Sequence, residues 1–235
     1  MIFGKKYDIY TPMKWHIHLF HKVPSTNETA KTFPDSAVIV AECQSAGRGR
    51  YGRRWESPAG NLYLSAVVGG LGPLAPLMAF GAGIAVANAL KQFEPRLKWP
   101  NDVLIGGKKV AGILLEQTED GRLIIGIGVN VATCPPAGMT LYPTTCLENK
   151  MALVDLREKI LDGLAETIAI LKDQGFDPIR KLWLDRAVGM GSPVRVQMPR
   201  QEIIGTFKDL SPQGELVLET PAGTVHISAG DVFLI

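Results

Sequence analysis

The sequence predicts an α/β domain over residues 1 to about 187, followed by a small all-β barrel over residues 188–235. Three observations carry that prediction. Up to residue 187, apolar runs of strand length alternate with segments of helical period. Beyond it, strand alternation returns at Val194, Val196 and Met198 and in runs around Ile203, Leu216 and Val225. Turn signals at Ser211-Pro-Gln-Gly and Pro221-Ala-Gly separate those runs. Finally, 235 residues with 46% hydrophobic and 20% charged content suffice for one large domain and one small one. A piece of about 45 residues is too small to be stable alone, so it should dock on the larger domain.

Taken in order, Trp15, Ile17 and Leu19 alternate with His16 and His18 as a half-buried strand does. Pro24 to Asn27 ends it, and a helix over Glu28–Thr32 should follow, capped by Ser25 or Thr26. Ala37–Ala41 and Leu62–Val68 are continuous apolar runs and read as strands. Leu77–Leu90 is rich in Ala and Gly, residues that let a helix lie close on a sheet. Leu97–Trp99 reads as a short strand stopped at Pro100. Val110–Gln117 and Leu123–Val131 are strands joined through Glu119-Asp120-Gly121. Residues 133–149 form a loop with three prolines. Leu153, Leu156, Ile160, Leu164, Ile168 and Leu171 recur at helical spacing, with Gly175 as the stop. Asp177-Pro178 should cap and open a last helix to about Ala187.

Charge and cysteine content narrow the function classes. Lys plus Arg is 25 and Asp plus Glu is 23, which argues against a generally basic nucleic-acid coat. Cys43, Cys134 and Cys146 are odd in number and widely spaced, so a disulfide scaffold or structural zinc site is not expected. The N-terminal residues lack the apolar core of a secretory signal. No charge appears from Ser57 to Leu90, yet Gly69, Gly70, Gly72, Pro73 and Pro76 interrupt that stretch. The unbroken remainder is shorter than the about 20 residues a span needs. A cytoplasmic protein with no membrane segment is expected. His16 and His18 share a strand face without a nearby carboxylate or cysteine, so no metal site is assigned there. Cys43, beside Gln44, reads as a buried small apolar residue, with a reactive thiol as the competing reading.

The most informative segment runs from Gln44 to Trp55. Arg48, Arg50, Arg53 and Arg54 share it with Gly47, Gly49 and Gly52. Glycine lets backbone N–H groups approach anionic oxygens, arginine adds forked donors, and Trp55 offers a flat face for a base. A solvated basic loop and an arginine-rich RNA-binding segment are the competing readings. No Gly-Lys-Ser/Thr follows, so this is not a P-loop. Four like charges with few apolar anchors should leave the loop mobile until an anion binds. Lys98-Trp-Pro-Asn-Asp102 places Asn101 and Asp102 at a strand end, where open α/β sheets bind ligands, and Lys109 could return to the same place. Alone, Trp-Pro-Asn-Asp could be only a turn. Gly126-Ile-Gly-Val-Asn130 puts glycines inside a strand, which marks either close approach of a ligand or a bulge.

Ser25-Thr26-Asn27, the Gln44 to Trp55 stretch, Gly60-Asn-Leu-Tyr-Leu-Ser65, Lys98-Trp-Pro-Asn-Asp102, Lys109-Val-Ala-Gly-Ile113 and Gly126-Ile-Gly-Val-Asn130 occur in one order along nearly the whole chain. In that order they resemble the biotin protein ligases. The resemblance implies an α+β/α/β fold class, with a mixed-sheet catalytic domain of the biotin/lipoate ligase type at 1–187 and an SH3-like C-terminal barrel at 188–235. It implies a biotin pocket lined by Ser25, Thr26, Asn27, Gln44, Gly47, Arg48, Gly49, Arg50, Lys109, Gly112, Gly126 and Gly128. Arg50, Arg53, Trp55, Asn101, Lys109 and Asn130 would face the nucleotide. Arg48, Lys109 and Asp102 would carry the chemistry, Asp102 by orienting or deprotonating the incoming amine.

The implied activity is ATP-dependent formation of biotinyl-AMP, with Mg²⁺, and then transfer to a lysine of a biotin carboxyl carrier protein. Pro24 stands where many members carry an acidic residue. Some members begin with a winged-helix DNA-binding domain of about sixty residues; only some 14 residues precede the first strand here, so specific DNA binding is not expected. A homodimer is left open by the resemblance. A lipoate or octanoate ligase is the nearest alternative, disfavoured by the Gly-Arg-Gly-Arg stretch.

Overall fold

The computed structural model describes residues 13–136 and 138–235, so the segment read for a secretory signal lies largely outside the described residues. In chain order the strands and helices are β1 (His16–Val23), α1 (Thr26–Ala30), β2 (Ala37–Gln44), β3 (Leu62–Val68), α2 (Met78–Ala89), β4 (Arg96–Lys98), β5 (Asp102–Ile105), β6 (Lys108–Gln117) and β7 (Leu123–Val129). Helices α3 (Leu153–Gln174) and α4 (Phe176–Leu184) follow. Strands β8 (Pro193–Gln197), β9 (Glu202–Leu210), β10 (Leu216–Thr220), β11 (Gly223–Ile227) and β12 (Asp231–Leu234) complete the chain. The first seven strands form one mixed sheet in the order β1-β2-β3-β7-β6-β5-β4, in which only the β1–β2 pair is parallel. The last five form a separate antiparallel sheet, β11-β10-β9-β8-β12.

The large sheet is covered on both faces, and the period of two decides which residue meets which face. Ile125, Ile127 and Val129 of β7 join Leu64, Ala66 and Val68 of β3 in the main core under α2 and α3. Between them on β7, Gly126 and Gly128 turn to the opposite face, where α1 lies. Helix α2 is nearly featureless around its circumference because almost all of it is buried. Its small residues let α3 approach: a Cβ on Gly163 of α3 would meet the Ala85 backbone at 3.0 Å. The stretch Gly72–Ala89 is long and apolar enough to cross a membrane by composition, yet 67% of it is buried inside this fold. Phe80 carries the packing to α4 through Phe176, at 5.2 Å between ring centroids, and Trp183, at 5.5 Å. Trp99 Nε1 donates to Gly214 O at 3.1 Å, which ties the large sheet to the small one.

Four local readings change. Leu19 is 69% exposed: Trp15 and Ile17 on the same side of the chain reach the main core, and Leu19, on a strand that is an edge among the described residues, lies beyond that cover. Ser25 sits at the N-cap of α1 but makes no side-chain cap bond. Helix α4 starts at Phe176, not Pro178: Gly175, at φ +76°, ends α3 and caps α4 at once, and Phe176 is drawn into the core. Cys43 is half-buried, its thiol donating to His21 O at 3.5 Å.

Candidate functional site: a polar-floored cavity under an arginine loop

A cavity of about 900 Å³ opens on the α1 face of the sheet. All but one of the expected site residues line it, including Ser25, Gly49, Asn101 and Asn130; Gly47 does not. A Cβ at Gly47 would lie 2.5 Å from both Ser57 Oγ and Trp55 O, so this glycine allows the loop to pack on itself. The polar floor is a chain of hydrogen bonds. Thr26 donates to Gln44 Oε1 from its backbone N–H at 2.8 Å and from its hydroxyl at 3.1 Å. Gln44 Nε2 donates to Ser57 Oγ at 2.8 Å. Ser65 Oγ lies 2.8 Å from Thr26 Oγ1 and 2.6 Å from Asn27 Oδ1. Asn27 Nδ2 donates to Leu114 O and to Glu116. With their protons directed into the wall, Thr26 and Asn27 present oxygen acceptors to the cavity, which suits a small heterocycle bearing N–H groups.

The glycines of β6 and β7 are a seam. Gly112 and Gly128 are register partners, and the Trp55 indole lies on both. A Cβ at Gly128 would meet the indole at 2.7 Å, and one at Gly126 would strike the Asn27 carboxamide. Close approach is therefore what these glycines permit, and a side chain is what approaches. Trp55 Nε1 is buried with no hydrogen-bond partner among the described residues, a donor still requiring an acceptor. Lys109 Nζ sits 5.2 Å from the Trp55 ring and 2.6 Å from Asp102 Oδ1. Asp102 opens β5 opposite Gly112, so the lysine–carboxylate pair stands directly beside the seam.

The loop arginines depart from expectation. They are anchored by protein groups and do not simply repel one another. Arg48 Nη2 contacts Glu28 at 3.0 Å and Glu116 at 3.1 Å; Arg53 pairs with Asp231 at 2.9 Å and Arg54 with Glu56 at 3.1 Å. Glu28 is held below the usual carboxylate range by Lys31 and then by Arg48. Arg50 is the exception: among the described residues it has no carboxylate, only Tyr51 Oη at 3.0 Å and the Asn101 Oδ1 and Gly230 carbonyl oxygens at 3.4 Å each. Of the four, Arg50 is the one whose charge is available to an incoming anion. Glu56 adjoins the loop in sequence, but the carboxylates on Arg48 and Arg53 come from α1, β6 and β12, which the loop's own sequence does not reveal. Asn101 Nδ2 donates to Ile113 O at 2.7 Å and Asn130 Nδ2 to Thr145 O at 3.1 Å, so both asparagines also brace the cavity wall.

Lys98 is a residue the sequence reading quoted without giving it a role. It is 5% exposed, lies over the Tyr142 ring, and faces Phe233 of β12 at 5.9 Å. Burial pushes its ammonium down to about 7, an effect that Asp102 only partly offsets. The unfolded chain then binds more protons than the folded one between about 7 and the ordinary lysine value, so stability rises with pH through that window. Below it, the folded protein carries a buried charge at a cost. Replacing Lys98 with Met is expected to raise the melting temperature most near pH 6, with the gain shrinking steadily toward about pH 9. Melting curves of both proteins across that range check it; a gain independent of pH contradicts the assignment. Asn61, quoted in the Gly60–Ser65 motif without a role, has one here: its Oδ1 accepts the N–H groups of Val131, Ala132 and Thr133 at 2.8, 2.9 and 3.1 Å, fixing the chain just beyond Asn130.

Fold and site together define a class, a ligase-type mixed α/β domain carrying a small β-barrel. The model of the biotin/lipoate A/B protein ligase family matches residues 19–131, and that of the biotin protein ligase C terminal domain matches residues 189–235. The chain is 38% identical over 234 residues to a biotin–[acetyl-CoA-carboxylase] ligase of Paracoccus denitrificans, covering 90% of this chain and 98% of that one. It is 32% identical to a bifunctional ligase/repressor of Bacillus subtilis, over 99% of this chain and 77% of the relative. The structure of a biotin protein ligase from Aquifex aeolicus in complex with biotin and ATP is similar at a TM-score of 0.82 and 28% identity, covering 93% and 98% of the two chains. One from Leishmania major with biotinyl-5-AMP is similar at a TM-score of 0.65 and 26% identity, covering 91% and 98%. The chain belongs to the biotin protein ligase family.

Proposed function

We propose that the chain is an ATP-dependent biotin–protein ligase acting in two half-reactions. The biotin carboxylate attacks the α-phosphorus of ATP, forming biotinyl-AMP and expelling pyrophosphate. A lysine amine of a biotin carboxyl carrier protein then attacks the mixed anhydride, loses a proton and expels AMP. The observation that carries this reading is the convergence, in one cavity, of an acceptor-lined floor, an arginine without a carboxylate, and the Lys109–Asp102 pair. The floor of Ser25, Thr26, Asn27 and Gln44, with the seam of Gly112, Gly126 and Gly128, takes the ureido ring. Arg50 and Lys109, helped by Arg48, offset the repulsion between carboxylate and polyphosphate and stabilise charge developing at phosphorus. Arg53, Trp55, Asn101 and Asn130 lie toward the nucleotide. Asp102, already paired with Lys109, orients or deprotonates the amine. Mg²⁺ is assigned to the polyphosphate and enters as MgATP, since it keeps several waters and binds chiefly through substrate phosphates.

The test is exchange of labelled pyrophosphate into ATP with biotin or lipoate as the acid. Exchange with biotin and not lipoate is expected; exchange with lipoate alone, or with neither acid, defeats the reading. The same reading assigns residues 1–187 to catalysis and 188–235 to a supporting barrel, places the protein in the cytoplasm, admits a homodimer, and gives it no specific DNA binding. A saturable, sequence-dependent gel shift in the presence of biotinyl-AMP would contradict the last point.

A further inference from the structure

We infer that Glu116 is a positioning residue that couples the floor of the biotin pocket to the arginine loop; the inference rests on the ligase reading above and deepens it. Glu116 lies on β6 four residues after Gly112, and the period of two puts both on the cavity face. Its Oε2 accepts Asn27 Nδ2 at 2.7 Å, while its two oxygens lie 3.1 and 3.2 Å from Arg48 Nη2. One carboxylate therefore holds a floor side chain and a loop side chain at once.

The chemistry of that contact sets which way Asn27 points. A carboxylate only accepts, so it selects the Asn27 amide nitrogen and turns Oδ1 toward Ser65 and the Gly126 seam. Leu114 O takes the remaining Nδ2 proton at 3.3 Å, so Asn27 faces the cavity as an acceptor. From Asn27 the hydrogen bonds continue through Ser65, Thr26, Gln44 and Ser57 to the carbonyl of Trp55. Arg48 and Trp55 bracket the loop, and both are thus tied to one chain that crosses the pocket floor. A ligand N–H taken up by Asn27 draws on the same carboxylate that restrains Arg48. Glu28 also restrains Arg48, at 3.0 Å, but accepts its hydrogen bonds from Lys31 and Arg48 and none from the floor, and so separates the two roles.

The experiment compares Glu116→Ala, Glu116→Gln and Glu28→Gln with the native protein in biotin-dependent pyrophosphate exchange and in trypsin cleavage after Arg48. Loss of the Glu116 acceptor is expected to raise KM for biotin about tenfold or more, with a smaller change in kcat. Partial damage to the fold would lower kcat and leave KM in place. Glu116→Gln keeps one acceptor oxygen, guards against a folding defect in the alanine variant, and should raise KM in the same direction by less. Both Glu116 variants should be cleaved faster after Arg48, and saturating biotin should protect that bond less than in the native protein. Glu28→Gln should speed cleavage while holding KM for biotin within about twofold. A native KM in both Glu116 variants, or unchanged cleavage, overturns the coupling. Failure of the native protein itself to bind biotin or support exchange would instead overturn the ligase reading.

Discussion

Lys109→Ala is expected to slow biotin-dependent pyrophosphate exchange by about 10²–10³, the usual consequence of losing one charge-stabilising contact in a transition state. The structure adds a second effect. The Lys109 and Asp102 side chains are 20% and 9% exposed, and their atoms stand 2.6 Å apart. Removing the lysine leaves a nearly buried carboxylate without its cation, and breaking a buried pair from one side costs about 3–5 kcal/mol. Rate and stability should therefore fall together in the single variant. The double variant Lys109→Ala/Asp102→Asn, which removes both charges, is expected to recover most of the stability and none of the rate. Urea unfolding midpoints read the first quantity and exchange the second. Native exchange rates in a folded Lys109→Ala protein would remove Lys109 from the chemistry.

Gly128→Ala is expected to lower kcat/KM for biotin by about 10² or more, through one added methyl group. Its Cβ would lie 2.7 Å from Trp55 Nε1 and Cε2, closer than any real Cβ contact. An indole cannot flex at its far end as a lysine does, so the whole ring must leave the seam and carry the loop with it. A displacement of about 1 Å in a reacting assembly is enough for a 10²-fold loss. Strand β7 keeps its pairing with β3 and β6, so circular dichroism should be unchanged. Tryptophan fluorescence should shift as the indole meets water. An unshifted spectrum with native kinetics would show that Trp55 does not need the seam.

Where pattern is local, the sequence already showed the architecture. β2, β3, β7 and α3 each follow from a run or a period contained in a single segment. β5 and β12 are not legible in the sequence, because each is four residues long and neither has a proline stop of the kind that marks the still shorter β4. Gly126 and Gly128 announced a close approach, but not that Asn27 and Trp55 make it. The arginine loop misled for a physical reason. Its four charges are visible in one line of sequence, while the carboxylates that hold Arg48 and Arg53 are not: Glu28 is 20 residues from Arg48, Glu116 is 68 away and Asp231 is 178 from Arg53. Electrostatic satisfaction is a property of the folded surface, and Glu116 carries no mark of its role beyond sharing a strand face with Gly112.

Arg53 and Asp231, which meet at 2.9 Å, are separated by 178 positions. Arg50 reaches Gly230 across 180. During synthesis the arginine segment leaves the ribosome early, and its last anchors emerge only when β12 does. At about 5–20 residues per second, that interval is roughly 10–40 seconds, ample for the sheet and helices of the larger domain to form first. On that timescale the nascent chain would hold most of the large sheet while the loop still awaits its anchors, and the last of those contacts coincides with the end of the small sheet. A chain stopped before residue 230 would lack the carbonyl and the carboxylate that hold Arg50 and Arg53, so the arrangement of the arginine loop reports on whether the chain has been finished.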